Sequence, residues 1–289
     1  MKAILFDASK CNGCYGCQLA CKDEFCGNDW EDYASEQPIT GQFWCKVSQK
    51  DRGKVPEVKV QYVPFFGAQT EAVREYAPEV LMERDDDLIV IQPSKAKGRK
   101  DIADKFEGIY WNEELQIPQG CNGCAHLLDN GWEVPRCVDV CATEALKVVD
   151  LDDAPEGAVP APGQEPEHPH VLYMNIPKAW IYGCVVDRAK NEVLVGANVA
   201  LLDTDGNEVA RVETDEFGEF RLKELESKAY RVSIEAEGYN AIVLDADTSE
   251  EDVVLGDIFA VPEGQTGEAQ VARGCLLFDN AVDAYLAAK

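Results

Sequence analysis

The segment Cys11-Asn12-Gly13-Cys14-Tyr15-Gly16-Cys17-Gln18-Leu19-Ala20-Cys21 packs four cysteines into eleven residues. Its intervals of two, two and three residues suit an iron–sulfur cubane: three thiolates from one tight loop reach three irons, and the fourth reaches a neighbouring cluster. Asn12, Gly13 and Gly16 lie between the sulfurs. Small or turn-prone residues there let backbone N–H groups point at the thiolates. A second group, Cys121-x2-Cys124-x12-Cys137-x3-Cys141, repeats the arrangement with its third member returned by a longer loop.

Crossed ligation assigns Cys11, Cys14, Cys17 and Cys141 to one [4Fe–4S] cluster, and Cys121, Cys124, Cys137 and Cys21 to a second. Two groups about 100 residues apart then become one folding unit. Neither fourth cysteine is followed by the usual proline. Lys22 and Ala142 stand there instead, a change in the turn and not in the ligands. Zinc is the competing reading. The second group alone would suit a four-cysteine zinc site, but three cysteines at successive x2 spacing crowd one tetrahedral ion. Iron–sulfur is preferred.

The chain holds twelve cysteines in 289 residues, with none from Lys46 to Gly120. A disulfide framework belongs to short secreted chains, so this clustering favours metal thiolates. Cys26, Cys45, Cys184 and Cys275 share no spacing and are expected as free buried thiols. His126 follows Cys124 by two and is read as a packed imidazole. His168 and His170, in a proline-rich stretch, are read as solvated. No catalytic triad, phosphate-binding loop or dinucleotide fingerprint occurs, so no catalytic residue is assigned.

Composition narrows the partners. There are 54 acids against 27 bases, a net charge of −27. The first 150 residues carry 17 bases and 26 acids, and the remainder 10 and 28. Such a surface is repelled by phosphate backbones and anionic headgroups, which excludes nucleic acid and the membrane surface as partners. No apolar run approaches the roughly 18–20 residues of a spanning helix. The N-terminus offers only Ala3-Ile4-Leu5-Phe6 before Asp7 and no twin arginine, so no export signal is read and a cytoplasmic location is expected.

The pattern divides the chain at 1–150, 151–174, 175–263 and 264–289. In the first part, Ala3–Phe6, Leu88–Ile91 and Leu146–Val149 read as strands, and Thr70 to Met82 as a helix broken near Pro78. Asp85-Asp86-Asp87 reads as a solvated loop. The second part carries five prolines between Asp150 and Val171 and reads as a surface linker. The third shows seven short strands at 181–187, 198–202, 208–213, 219–222, 230–236, 241–244 and 253–259, the pattern of a sandwich or partly closed barrel. Its Asp203-Thr204-Asp205-Gly206-Asn207 cluster lacks the glycine position and distal Glu of a calcium loop, and reads as a hairpin turn. Leu277, Ala281, Val282, Tyr285 and Leu286 fall on one face of a terminal helix.

Taken together these residues resemble the iron–sulfur β subunits of molybdenum or tungsten bis-pterin oxidoreductases, particularly those of transhydroxylase type. The likeness is carried by the two cysteine groups and by Pro93–Gly98, Tyr110–Glu114, Cys124–Asp129, Pro135-Arg136-Cys137 and Phe217–Phe220. It covers about residues 1–260. It implies an α+β chain: a ferredoxin-like domain with two [4Fe–4S] clusters, then an all-β transthyretin-like or carboxypeptidase-regulatory-like domain. It also implies a large catalytic partner that holds the pterin metal, with phenolic or polyhydroxylated aromatic substrates. Electron transfer is the role expected of this chain; the alternative is a structural partner whose clusters act as folding staples. The transhydroxylase pattern has a further cysteine set in the middle of the first domain. Here Tyr62–Ala68 and Asp104–Gly108 hold no cysteine, so two clusters are expected, with Phe65, Phe66 and Phe106 filling the space.

Overall fold

A computed structural model of the chain describes residues 2–69, 71–161, 170–187, 189–265 and 270–272. It divides into two compact units, residues 1–50 with 61–176, and residues 51–60 with 177–289. In chain order the first unit contains β1 (Lys2–Asp7), α1 (Gly16–Phe25), most of β2 (Cys45–Lys54) and β3 (Glu57–Phe66), α2 (Glu71–Tyr76), α3 (Pro93–Ala96) and α4 (Lys100–Lys105). There follow β4 (Tyr110–Asn112), β5 (Ile117–Gln119), α5 (Ala125–Asp129), α6 (Arg136–Asp139), β6 (Leu146–Asp150), β7 (Val159–Pro160) and β8 (Val171–Met174). The ten-residue α1 is the longest helix among the described residues. Strands dominate.

Ala3, Ile4, Leu5 and Phe6 are all buried, which an uninterrupted apolar run requires of an inner strand. β1 pairs antiparallel with β6, Ile4 opposite Val148, and parallel with β8, Ile4 opposite Val171. The stretch read as a linker therefore supplies sheet. β7 pairs with β8, and Val171, Leu172 and Tyr173 are buried because they cover the second edge of β1. His170 is 5% exposed, not solvated. His168 lies outside the described residues.

Phe6, Phe25, Trp44, Phe66, Leu146 and Tyr173 share one core with Cys21, Cys45, Cys124 and Cys137. A separate apolar cluster of Val73, Val80, Ile89, Ile91, Ile102 and Ile109 forms the cysteine-free middle. Phe106 packs on it, while Phe66 joins the main core. A Cβ on Gly67 would stand 2.3 Å from Gly108 Cα, and one on Gly108 would stand 2.7 Å from the Phe65 ring. Only glycine allows these two backbones to approach so closely.

Two local expectations need correction. The helix expected to Met82 with a break near Pro78 does break there, since a residue before proline is pushed out of the α region, but past the break only a 3-10 turn over Pro78–Val80 follows the Glu71–Tyr76 helix. Leu88–Ile91 forms no strand. The Gln69 side chain takes both the N–H and the carbonyl of Ile89 at 3.1 and 2.7 Å, and pairing with residues 80–82 is confined to a single antiparallel bridge between Ile91 and Leu81.

The second unit holds β9 (Ala179–Asp187), β10 (Glu192–Val193), β11 (Asn198–Leu202), β12 (Glu208–Glu213), β13 (Glu219–Leu225), β14 (Ala229–Glu235), β15 (Ile242–Asp247), β16 (Val253–Phe259) and β17 (Gln270–Ala272). Each of the seven runs read from sequence falls on a strand. One sheet runs β12-β11-β14-β15; the other runs β10-β9-β16-β17, with β13 also on β9. Tyr230, Val232 and Ile234 of β14 alternate into a core shared with Ile181, Val199, Phe220 and Ile258, as the two-residue period of a strand dictates. Asp203 accepts the backbone N–H groups of Asp205 and Asn207 at 3.0 and 2.8 Å, which makes its loop a turn between β11 and β12. Cys275 and the terminal helix read at 277–286 lie outside the described residues.

Candidate metal centres

Both cysteine loops open with the same four residues, Cys11-Asn12-Gly13-Cys14 and Cys121-Asn122-Gly123-Cys124. The Asn12 carboxamide oxygen accepts the Cys14 N–H at 3.2 Å, and that of Asn122 accepts the Cys124 N–H at 2.9 Å. Gly13 and Gly123 adopt φ of +70° and +64°, which turns their N–H groups toward the sulfurs of Cys11 and Cys121. This repeat is visible in the sequence, but spacing counts between cysteines pass over it. The Tyr62 ring closes on Gly13 and the Leu88 side chain on Gly123, leaving no room for a Cβ.

α1 carries Cys17 and Cys21; α6 carries Cys137 and is followed by Cys141. Cys11 stands beside Cys14, Cys17 and Cys141. Cys21 stands beside Cys121, Cys124 and Cys137. The fourth cysteine of each sequence group thus lies with the other group, because β1 and β6 pair and bring the ends of the first 150 residues together.

The two sets differ in burial. Cys14 is exposed and Cys11, Cys17 and Cys141 are half-buried, whereas Cys21, Cys124 and Cys137 are buried and Cys121 is half-buried. The second set lines a small hollow with Ile4, Phe25, Phe66 and Pro135. Backbone N–H groups of Cys45, Gly123 and Arg136 reach the sulfurs of Cys21, Cys121 and Cys124. Leu146 N–H lies 3.4 Å from Cys141 Sγ, and Gly16 N–H 3.5 Å from Cys14 Sγ. Four sulfurs with aimed N–H donors and apolar walls fit a cubane, whose sulfurs take such hydrogen bonds. Among the described residues no three His, Cys, Asp or Glu side chains converge as ligands of a single ion would. A cubane asks for a wider set, one thiolate on each iron.

Three thiols of the second set resist ionisation in the metal-free chain. Burial, with neighbouring sulfurs adding to it, pushes Cys21 and Cys124 well up and Cys121 up to about 12. Bound iron reverses that preference, since a coordinating thiol is deprotonated. Cys17 moves the other way: a hydrogen bond from the Cys45 thiol favours its thiolate.

His126 is 2% exposed, its Nε2 lies 3.0 Å from Glu24 Oε1, and its ring stacks on Trp30 with centroids 4.5 Å apart. It is packed, and its Nδ1 is buried without a hydrogen-bond partner among the described residues. The Asp85–Asp87 loop is anchored: the Arg84 guanidinium binds Asp86 at 2.5 Å and Asp129 at 2.8 Å, and holds the Asp129 carboxyl at about 2. Of the other cysteines, Cys45 is buried, while Cys26 and Cys184 are half-buried rather than enclosed.

Residues 69–151 match the 4Fe-4S dicluster domain family, and residues 181–269 the carboxypeptidase regulatory-like domain family. The chain is 32% identical over 267 residues to the pyrogallol hydroxytransferase small subunit of Pelobacter acidigallici, covering 85% of this chain and 95% of the relative. It is 25% identical to the arsenate respiratory reductase iron-sulfur subunit of Shewanella sp. (strain ANA-3), over 52% of this chain and 82% of that one. The chlorate reductase subunit beta of Ideonella dechloratans is 26% identical over 50% of this chain and 44% of its own length. No helix among the described residues is long and apolar enough to cross a membrane.

Proposed function

This chain belongs to the family of iron–sulfur subunits of molybdenum-type oxidoreductases that includes the pyrogallol hydroxytransferase small subunit, and from that premise we propose its particular role. It holds two [4Fe–4S] clusters, one on Cys11, Cys14, Cys17 and Cys141 and one on Cys21, Cys121, Cys124 and Cys137. It serves a large catalytic chain that carries a molybdenum or tungsten bis-pterin, in the cytoplasm. The complex transfers, adds or removes hydroxyl groups on phenolic rings, a substrate class taken from the name of the 32% identical relative. The clusters, when bound, supply one-electron carriers. The chain's own residues hold them, exclude water from the second and aim N–H donors at the sulfurs.

The reading is supported above all by the meeting of Cys21 with Cys121, Cys124 and Cys137 around one apolar hollow. The placement of Cys21, Cys124 and Cys137 within the main core also favours a second role, in which the clusters staple the fold.

Iron, acid-labile sulfide and zinc counted on the anaerobically purified complex test both roles. About eight irons and eight sulfides per chain are expected; zinc in their place overturns the reading. Cys21→Ala and Cys124→Ala should remove the same cluster signal, and Cys141→Ala the other. A redox titration then separates the roles, since a wire is reduced or oxidised when substrate is added and a staple is not.

A further inference from the structure

Three helices stand at the second set of sulfurs: α1 carries Cys21, α5 begins just after Cys124, and α6 carries Cys137. One carboxylate joins all three. Glu24 stands three residues after Cys21, on the same face of α1. Its Oε1 lies 3.0 Å from Nε2 of His126 on α5, and its Oε2 lies 3.7 Å from Nε of Arg136, the first residue of α6. These partners come two residues after Cys124 and one before Cys137. The pair with His126 is largely withdrawn from water, with side chains 13% and 2% exposed. The imidazole is fixed on both faces, for Trp30 stacks on it and the Phe25 ring meets it edge-on with centroids 5.3 Å apart. Trp30 is tied back to the same residue, its Nε1–H donating to the Glu24 carbonyl at 3.0 Å.

We propose that Glu24 is a positioning residue for the second cluster: its carboxylate fixes the segments that bring Cys21, Cys124 and Cys137 relative to one another, and its charge opposes reduction of that cluster. This rests on the ligand assignment proposed above. A cubane needs its thiolates together at one place. About 100 residues separate α1 from α5 and α6, so no local turn sets the distance between them. The carboxylate accepts the Nε2–H of His126 and attracts the Arg136 guanidinium, so one side chain fixes both distances. A partly buried charge is weakly screened, and a negative charge beside a cluster disfavours an added electron. Glu24 binds no iron and moves no proton in this role.

The test uses the full chain in its complex, purified anaerobically as wild type, Glu24→Ala and Glu24→Gln. The electron paramagnetic resonance signals of the two clusters are assigned with Cys124→Ala and Cys141→Ala. Iron release to a chelator and the midpoint potential are then followed for each cluster. Glu24→Ala leaves a buried N–H unpaired, so the second cluster should lose iron at least about tenfold faster while the first keeps its wild-type rate. Glu24→Gln keeps an acceptor for His126 and removes the charge. It should hold its iron, and its second cluster should gain about tenfold in reduced-to-oxidised ratio at fixed potential, more than the first. Equal acceleration at both clusters in Glu24→Ala, or none, overturns the proposal, since the carboxylate would then serve the fold in general. So does an unmoved second midpoint in Glu24→Gln at full iron. If Glu24→Ala yields no folded complex, Glu24→Gln decides by itself. A wild-type chain without cubane iron overturns the ligand assignment, and that is read before either variant.

Discussion

Arg52 and Asp252, 200 residues apart in the chain, form a two-point ion pair inside the second unit, with Nη2–Oδ1 and Nε–Oδ2 both at 2.7 Å. The two residues are 9% and 6% exposed. Arg52 also donates to the carbonyls of Pro177 and Lys178, each at 2.7 Å, and Asp252 accepts the Trp180 N–H at 3.1 Å. Breaking a buried pair strands a charge, whereas replacing both partners by apolar groups does not. Arg52→Met should therefore cost about 3–5 kcal/mol. Arg52→Met with Asp252→Leu should recover most of that loss. Urea midpoints decide it: a double variant as unstable as the single one would mean that the carbonyl bonds, not the charge pair, carry the effect.

The cysteine loops make a second prediction. A Cβ on Gly13 would fall 2.4 Å from the Tyr62 ring, and one on Gly123 would fall 2.7 Å from the Leu88 side chain, both at positive φ. Gly13→Ala and Gly123→Ala should each cost about 1–3 kcal/mol and release iron faster to a chelator. Gly16→Ala is the control, because its Cβ would meet the nearest atom, Cys14 Sγ, at an ordinary 3.5 Å. Equal iron release from all three variants would contradict the geometry.

The middle of the first unit can be probed without touching a sulfur. Gly67→Ala drives a Cβ to 2.3–2.4 Å from the Gly108 backbone, where no side-chain rotation relieves the clash. A loss of at least about 2 kcal/mol is expected. A melting temperature equal to that of the wild type would show that the two strands of chain separate easily there.

The raised thiols predict a pH dependence with a definite sign. Cys121 ionises at about 12 in the folded, metal-free chain, against an ordinary value of 9.0. Above pH 9 the unfolded chain sheds this proton while the folded one keeps it. The contribution to stability is therefore full below pH 9 and is lost as pH rises towards 12. Iron loading has the opposite dependence, since ligation expels thiol protons and is hindered as pH falls. Denaturant midpoints of metal-free chain from pH 8 to 11 and iron uptake from pH 6 to 9 measure the two slopes. A metal-free chain that gains stability above pH 9 would reject the assignment.

Much of the second unit was legible because its signals are local. Alternation in Tyr230–Ala236 and turn residues such as Asp203–Asn207 act within a few positions, and strands and hairpin form where they point. The two larger failures are non-local. Leu88–Ile91 carries a strand's composition, but a side chain from Gln69 occupies the Ile89 backbone and leaves a single bridge, Ile91 to Leu81. Val171–Met174 follows a proline-rich stretch, yet β1 recruits it as a parallel neighbour.

By itself the sequence determined which cysteines sit in loops that can present sulfur, since Cys-Asn-Gly-Cys sets its own turn through an Asn side chain and a glycine at positive φ. The spacing also suggests the fourth cysteine of each group as the one that reaches away, as the proposed ligand sets have it. Only the tertiary structure decided what else meets at those sulfurs. Cys45 had no spacing to mark it, and Arg52 no partner nearby in the chain. Both placements arise where segments far apart in sequence are packed together, and burial there favours a partner for a charged group such as Arg52.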